Sequence, residues 1–93
     1  MIEALKQKYL ASFEEKILRI KSALESSDSQ VLSTLIHQLA GSSGSYGFTE
    51  LSELCIEIEQ LIIEQQVLDA KLSSRIESLL AMMKNIQQDN CLL

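Results

Sequence analysis

Proline, glycine and aromatic residues are scarce in this sequence. Proline is absent, glycine occurs three times and aromatic residues make up 4% of the chain. Helices are therefore rarely interrupted, and the aromatic residues on which strands draw are few, whereas Leu, Ile, Glu, Ser and Gln dominate, a mixture that suits helices. The composition therefore predicts an all-α fold.

Long hydrophobic runs are missing too. Polar residues interrupt the apolar ones along the whole chain, so no stretch approaches the roughly 18 apolar residues that a membrane-spanning helix needs. The N-terminus lacks the pattern of a secretory signal peptide. We expect a cytoplasmic protein that does not insert into a membrane.

Cysteine and histidine are too few and too far apart for a disulfide framework or a zinc site. Cys55 falls on an apolar helical stripe and Cys91 lies near the C-terminus, so both are predicted to be free thiols. Zinc ligands usually come in close pairs, which these cysteines and the single histidine, His37, do not form. We expect neither a bound metal nor another cofactor.

Basic residues are outnumbered by acidic ones, eight to thirteen, which gives a net charge of −5. A protein that binds nucleic acid must neutralise phosphate charges with lysine and arginine, so this balance argues against nucleic acid as a partner. At 93 residues the chain has room for one hydrophobic core. We therefore expect one domain over residues 1–93.

Apolar residues recur at helical spacing in four stretches of the chain. The first stretch begins at Ile2 and predicts one long helix that ends near Ser26. Asp28 and the serines beside it offer N-cap oxygens for a second helix, which three glycines loosen and end near residues 45–48. The third stretch covers residues 48–65.

The fourth stretch begins at Leu68, with Asp69 as a candidate N-cap, and residues 89–93 are expected to fray. Amphipathic helices of this length are marginal alone in water, and short polar links favour an antiparallel up-down four-helix bundle. We expect this bundle to be monomeric. Its predicted core consists of Leu5, Phe13, Ile17, Leu35, Leu39, Leu51, Leu54, Ile58, Leu72, Ile76 and Leu79.

His37 falls on the side of the second helix that faces away from the apolar stripe. Successive side chains of a helix turn by about 100°, which places His37 nearly opposite Leu32, Leu35 and Leu39. The outward face around His37 carries only smaller residues. These are Ser33, Thr34, Ala40, Gly41 and Gly44.

The two glycines on this face admit two interpretations. Each costs roughly 1 kcal/mol relative to alanine in a helix interior. One interpretation is that another protein must approach the backbone closely enough to reach His37, which a long side chain would prevent. The other is that Gly41 and Gly44 begin a frayed helix end and that His37 is an ordinary solvated histidine. The residues alone leave both open.

A longer pattern around His37 resembles a known family. Residues 37–48 read HQLAGSSGSYGF, and the helix that follows carries Leu51, Leu54, Cys55, Ile58 and Glu59. Together they closely resemble the signature of histidine-containing phosphotransfer (HPt) domains. Residues 9–29 resemble the lead-in of that family more loosely.

The resemblance implies a role for each matching residue. His37 would accept the phosphoryl group, Gly41 would keep the docking surface clear, and Glu59 would orient the imidazole from the neighbouring helix. A solvated carboxylate is the alternative for Glu59. The family usually carries a lysine three residues after the histidine, where this sequence has Ala40, and Gln38 does not replace that charge.

The surrounding positions are assigned to docking and to the phosphate environment on the same basis. They are Ser33, Thr34, Gln38, Ala40, Gly41 and Gly44. Basic residues such as Lys71 or Arg75 would replace the missing lysine only if the fold brought them near His37, which the sequence does not indicate.

The implied function is that of a phosphorelay intermediate. His37 would exchange a phosphoryl group with aspartates of receiver domains, in response regulators and hybrid sensor kinases, and any Mg²⁺ would be bound by the receiver. The chain has no glycine-rich nucleotide loop, so it is predicted to be a carrier and not an autonomous enzyme.

Two alternatives stay open beside this function. The first is a non-catalytic helical module that docks receiver domains or other helices, which the missing lysine favours. The second is an enzyme that uses His37 as a general base, which an exposed convex surface disfavours because it offers no concave substrate site.

Overall fold

A computed structural model describes residues 2–65 and 69–89, which are almost entirely helical. Five helices follow one another along the chain: α1 (Ile2–Ala11), α2 (Phe13–Glu25), α3 (Ser29–Ser45), α4 (Thr49–Gln65) and α5 (Ala70–Asp89). No strand occurs in these two ranges, and the predicted all-α class is confirmed. Helix α5 includes Asp89, where fraying was expected. Leu68, where the fourth stretch was predicted to begin, and residues 90–93 of the predicted tail lie outside the described residues.

The predicted first helix is divided at Ser12, so the prediction of one unbroken helix is wrong at this residue. The Ser12 hydroxyl donates to the Tyr9 carbonyl oxygen at 2.5 Å, and the Ser12 N–H is shared between the carbonyls of Lys8 and Tyr9. A serine hydroxyl that bonds to the preceding turn competes with the backbone for the same acceptor and bends a helix. This interruption at Ser12 separates α1 from α2.

Helices α2 to α5 form an antiparallel four-helix bundle. Each packs against the next along the chain, and α5 closes the ring by packing against α2, while α1 contacts α2 and α5. Helices α3 and α5 do not pack against each other and therefore lie diagonally across the bundle. At the end of the bundle where α5 finishes, the Gln87 Nε2 donates to the Leu10 carbonyl oxygen at 3.0 Å.

Polar side chains and local backbone bonds fix the helix ends. The Asp28 Oδ1 accepts from the Val31 N–H at 3.1 Å, and the Asp69 Oδ1 accepts from the Leu72 N–H at 2.8 Å. Both aspartates are thus N-caps, as the sequence indicated. Helix α3 ends before Gly47, whose φ of +86° favours glycine.

The hydrophobic core runs the length of the bundle. Its largest fully buried side chains are Phe13, Ile20, Leu32, Ile36, Leu39, Leu51, Ile58, Leu72, Ile76, Leu79 and Met83. Leu5, predicted to be a core residue, is 55% exposed, because only the end of α1 near Tyr9 and Leu10 is buried against the bundle. Leu35 and Leu54 are partly buried at its edge.

Tyr9 joins the end of α1 to the end of the histidine-bearing helix. Its ring stacks on Tyr46 with 4.4 Å between centroids, and its hydroxyl lies 2.7 Å from the Ser42 Oγ. Burial raises the pKa of Tyr9, which keeps the hydroxyl protonated and able to donate. The C-terminal half of α3 is thereby held against the bundle, two turns beyond His37.

Candidate functional site

His37 lies in the middle of α3 with its side chain 72% exposed. The buried side of this helix is formed by Leu32, Ile36, Leu39 and Ser43, which pack into the bundle. Because successive side chains turn by about 100° around a helix, position 37 lies on the side away from these residues. The packing that buries them therefore turns the imidazole outward. The outward position predicted from the apolar periodicity is the one observed.

Glu59 of α4 reaches the imidazole from the neighbouring helix. Its Oε2 and Oε1 lie 2.9 and 3.2 Å from the His37 Nδ1. Ile58 and Ile62 are buried on α4, and their packing against the core places Glu59 on the flank that faces α3. The glutamate side chain is only 20% exposed, so the carboxylate is held beside the ring instead of extending into solvent.

This contact distinguishes the two ring nitrogens. A carboxylate accepts hydrogen bonds and cannot donate them, so a neutral His37 beside ionised Glu59 carries its proton on Nδ1. The lone pair then resides on Nε2, the nitrogen that points away from Glu59. The arrangement therefore presents a nucleophilic nitrogen at the protein surface.

A shallow groove lies between α3 and α4 beside the imidazole. Its walls and floor are formed by His37, Ala40, Gly41, Gly44, Ser45, Ser52, Ile56 and Glu59. Ser33 and Thr34 border His37 on the N-terminal side. The groove is open to solvent along its length, a shape that suits contact with another protein better than enclosure of a small substrate.

The two glycines of the groove have different surroundings. A Cβ atom at Gly41 would meet nothing within 4 Å, so no packing inside this molecule requires glycine there. A Cβ atom at Gly44 would lie 3.3 Å from the Ser52 Oγ, which makes Gly44 a point of close approach between α3 and α4. Gly44 thus has a structural reason that Gly41 lacks.

Comparison with known proteins identifies the fold and the class of protein. A family model described as the Hpt domain matches residues 4–89, nearly the whole chain. The chain belongs to the Hpt domain family. Hpt domains are phosphocarrier modules of phosphorelays and interact with receiver domains of two-component systems. Searches of curated proteins and of solved structures gave no match.

Two positions of this Hpt domain lie elsewhere than the sequence indicated. Ala40 was expected on the outward face but is only 7% exposed, because α4 covers it and the Ser52 Oγ donates to its carbonyl oxygen at 2.9 Å. Gln38 lines a different groove, between α2 and α3, together with Lys16 and Arg19. Gln38 is therefore not part of the groove beside His37.

The serine and threonine before His37 are engaged within their own helix. The hydroxyls of Ser33 and Thr34 each donate to the Gln30 carbonyl oxygen at 3.0 Å.

Arg75, considered as a replacement for the missing lysine, contacts Glu57 across the α4–α5 boundary. This contact does not place the positive charge of Arg75 beside His37.

Sequence reasoning missed three groove residues of this Hpt domain, Ser45, Ser52 and Ile56. Ser52 tethers α4 to α3 through the Ala40 carbonyl oxygen, and Ile56 is 49% exposed next to the histidine. The signal for Ile56 was present, since it falls outside the buried stripe of Leu51, Cys55 and Ile58.

Among the described residues, no helix combines the length and apolar character needed to cross a bilayer.

Proposed function

We propose that this Hpt domain is a phosphorelay intermediate whose His37 accepts a phosphoryl group from the aspartate of one receiver domain and donates it to another. The observation that carries the proposal is the pairing of His37 and Glu59. His37 is the only histidine of the sequence, its Nδ1 is paired with the carboxylate, and its side chain is 72% exposed, which leaves Nε2 as the nitrogen available to a partner. A histidine carrier needs one accessible nitrogen of this kind.

The transfer step needs no base from this domain. The Nε2 lone pair attacks phosphorus, the bond between phosphorus and the aspartyl oxygen breaks, and its electron pair remains on the aspartate as carboxylate. The ring becomes a phosphorylated imidazolium that keeps its proton on Nδ1, where Glu59 accepts a charge-assisted hydrogen bond. In the return step a receiver carboxylate attacks phosphorus and the electron pair of the N–P bond goes back to Nε2.

Glu59 assists this step without touching the phosphoryl group. Its carboxylate stabilises the positive charge that develops on the imidazole and holds the ring plane fixed. The receiver domain, with Mg²⁺ of its own, would stabilise the negative charge of the transferring group. We further propose that the carrier is cytoplasmic and acts as a monomer. Its partners in this proposal are receiver domains of response regulators and hybrid sensor kinases.

Intact-mass analysis tests the proposal directly. Purified domain is incubated with a panel of phosphorylated receiver domains, and the mass of one phosphoryl group is expected on the wild type and on no sample of His37→Gln. The product should be acid-labile and stable in base, as a phosphoramidate is. His37 is exposed, so this substitution should change the free energy of unfolding by less than about 0.5 kcal/mol.

The same experiment separates phosphotransfer from the runner-up function. A module that only docks receiver domains would bind a member of the panel without gaining a phosphoryl group, and the absence of lysine at Ala40 is the observation that favours it. Binding without transfer by every receiver tested would overturn the carrier function. Transfer to His37→Gln would overturn the assignment of the site.

A further inference from the structure

Lysine and arginine are absent from α3 and α4, the two helices that form the groove beside His37. All eight basic residues lie at or before Lys21 or at or after Lys71, whereas eight of the thirteen acidic residues lie between those two lysines. Helix α3 contains no charged residue other than the titratable His37, and α4 contains five glutamates. A phosphoryl group on His37 would thus enter a surface that is already negative.

Three basic residues of the other helices are engaged in contacts away from His37. Arg75 contacts Glu57, Arg19 bonds to Glu15 at 2.7 Å, and Lys16 donates to the Ser12 Oγ at 2.6 Å while lying over the Tyr9 ring. Helix α5, which carries Lys71, Arg75 and Lys84, lies diagonally across the bundle from α3. Within the described residues, no lysine or arginine lines the groove beside His37.

The same surface is apolar and open where a partner would approach. Ile56 and Ile63 are 49% and 59% exposed and lie seven positions apart, on one side of α4. Gly41 leaves the groove floor beside the imidazole free of side-chain atoms. Ile56 lines the groove and Ile63 continues the same stripe of α4, so one apolar surface of a partner can cover both.

We propose that the receiver domain docking here supplies the missing cation: its apolar patch covers Ile56 and Ile63, and a lysine or arginine at the edge of that patch enters the groove over Gly41 beside His37. The proposal rests on the proposed function, because it specifies the chemistry of the partner at the same site. Charge complementarity carries it, since a phosphoryl group gains a counter-ion only when the partner is bound.

The counter-ion is then present only in the complex. In the free domain a phosphoryl group on Nε2 finds no lysine or arginine on α3 or α4, whereas in the complex the basic side chain of the partner neutralises it. Attraction between opposite charges also raises association rates and is screened by salt. The unphosphorylated domain should therefore associate more slowly with its receiver as ionic strength rises.

Binding kinetics with each receiver domain of the panel test this inference. Between about 0.05 and 0.5 M NaCl the association rate constant should fall by roughly tenfold. The double variant Glu53→Gln/Glu64→Gln, which neutralises two exposed glutamates of α4, should slow association by roughly threefold at low salt. The matched control Glu14→Gln/Glu77→Gln changes net charge equally on α2 and α5 and should bind like the wild type.

The outcomes distinguish this inference from the proposed function. Phosphoryl transfer to His37 with rates that do not respond to salt or to Glu53→Gln/Glu64→Gln would overturn the basic partner and leave the carrier function standing. Salt-dependent docking without transfer would overturn the carrier function and leave the partner surface standing. Dimers in analytical ultracentrifugation that are lost with Ile56→Ser/Ile63→Ser would assign the surface to a second copy of this chain and overturn the inference.

Discussion

Gly44 of α3 passes so close to Ser52 of α4 that a Cβ atom at position 44 would lie 3.3 Å from the serine Oγ. That hydroxyl already donates to the Ala40 carbonyl oxygen and cannot move away without loss of the bond. Three residues earlier, Gly41 meets no such limit. The two glycines of the histidine helix are therefore separable by mutation.

Gly41→Gln should stabilise the domain and obstruct phosphotransfer. Glutamine has a higher helix propensity than glycine by somewhat less than about 1 kcal/mol, and its side chain would extend into the open groove where a receiver must approach His37. Urea unfolding and single-turnover transfer measure the two effects. Gly44→Ala is the control, and it should gain less stability because its Cβ presses on Ser52. Unchanged transfer by Gly41→Gln would show that the groove floor is not part of the contact.

Glu59→Ala should slow transfer by roughly tenfold, because a charge-assisted hydrogen bond contributes about 1.5–3 kcal/mol when well formed and less when partly exposed. Glu59→Gln keeps an acceptor oxygen for the Nδ1 proton and should lose less. Nitrogen-15 NMR of the imidazole should show the proton on Nδ1 in the wild type and a tautomer mixture in Glu59→Ala. Equal rates and equal tautomer populations in all three proteins would assign Glu59 no positioning role.

Ser27→Gly should raise the free energy of unfolding by about 1 kcal/mol. Ser27 has a φ of +55°, and its N–H bonds to the Leu24 carbonyl oxygen in the turn that ends α2. Glycine adopts this left-handed conformation without the Cβ clash of serine. The adjacent Ser26→Gly is the control, since its φ of −84° suits serine and its hydroxyl bonds to Ser22. A larger gain from Ser26→Gly would contradict the backbone explanation.

Cys55 should make stability fall as pH rises above about 9. Burial, with a smaller contribution from the Glu59 charge, raises the pKa of its thiol from 9.0 to about 12. Well below pH 9 the thiol is protonated in both states, and as the pH rises through 9 only the unfolded state gains by ionisation, with a slope that approaches about 1.4 kcal/mol per pH unit. Urea unfolding should show a total loss of about 1.4 kcal/mol between pH 8 and 10 in the wild type and not in Cys55→Ala. Parallel pH curves would rule out a protonated native thiol.

Much of the fold followed from the sequence because apolar periodicity and N-cap chemistry act locally. Asp28 and Asp69 cap the helices that they precede, and the buried faces of α3 and α4 fall at the expected positions. Leu5 and Ser12 escaped prediction for different reasons. An apolar side chain at helical spacing does not say whether its helix reaches the core, and a serine hydroxyl can leave a helix intact or bend it.

The positions of the residues around His37 followed from the sequence only in part. The placement of Glu59 beside His37 depends on the register between α3 and α4, which the family resemblance implied and local patterns alone do not determine. Ala40 was placed outward by counting residues around one helix, yet the close approach of α4 at Gly44 covers it. A neighbouring helix can bury a position that the helical repeat leaves on the boundary.

Ala40→Lys should lengthen the lifetime of phosphorylated His37. Ala40 is 7% exposed and lines the same groove as the histidine one turn earlier, so a lysine there would extend along the groove toward the N-terminus of α3 and bring its ammonium to the phosphoryl group. A charge-assisted hydrogen bond of this kind should slow hydrolysis by roughly three- to tenfold when partly exposed to solvent.

Ala40→Met, similar in length but uncharged, is the matched control for packing beneath α4. Hydrolysis is followed by intact mass after chemical phosphorylation with phosphoramidate, so that no receiver domain contributes a cation. A lifetime lengthened equally by methionine would attribute the effect to exclusion of water. A lifetime changed by neither substitution would show that charge at this groove does not govern the phosphohistidine, because a cation one turn from the imidazole is the shortest route by which this helix can supply one.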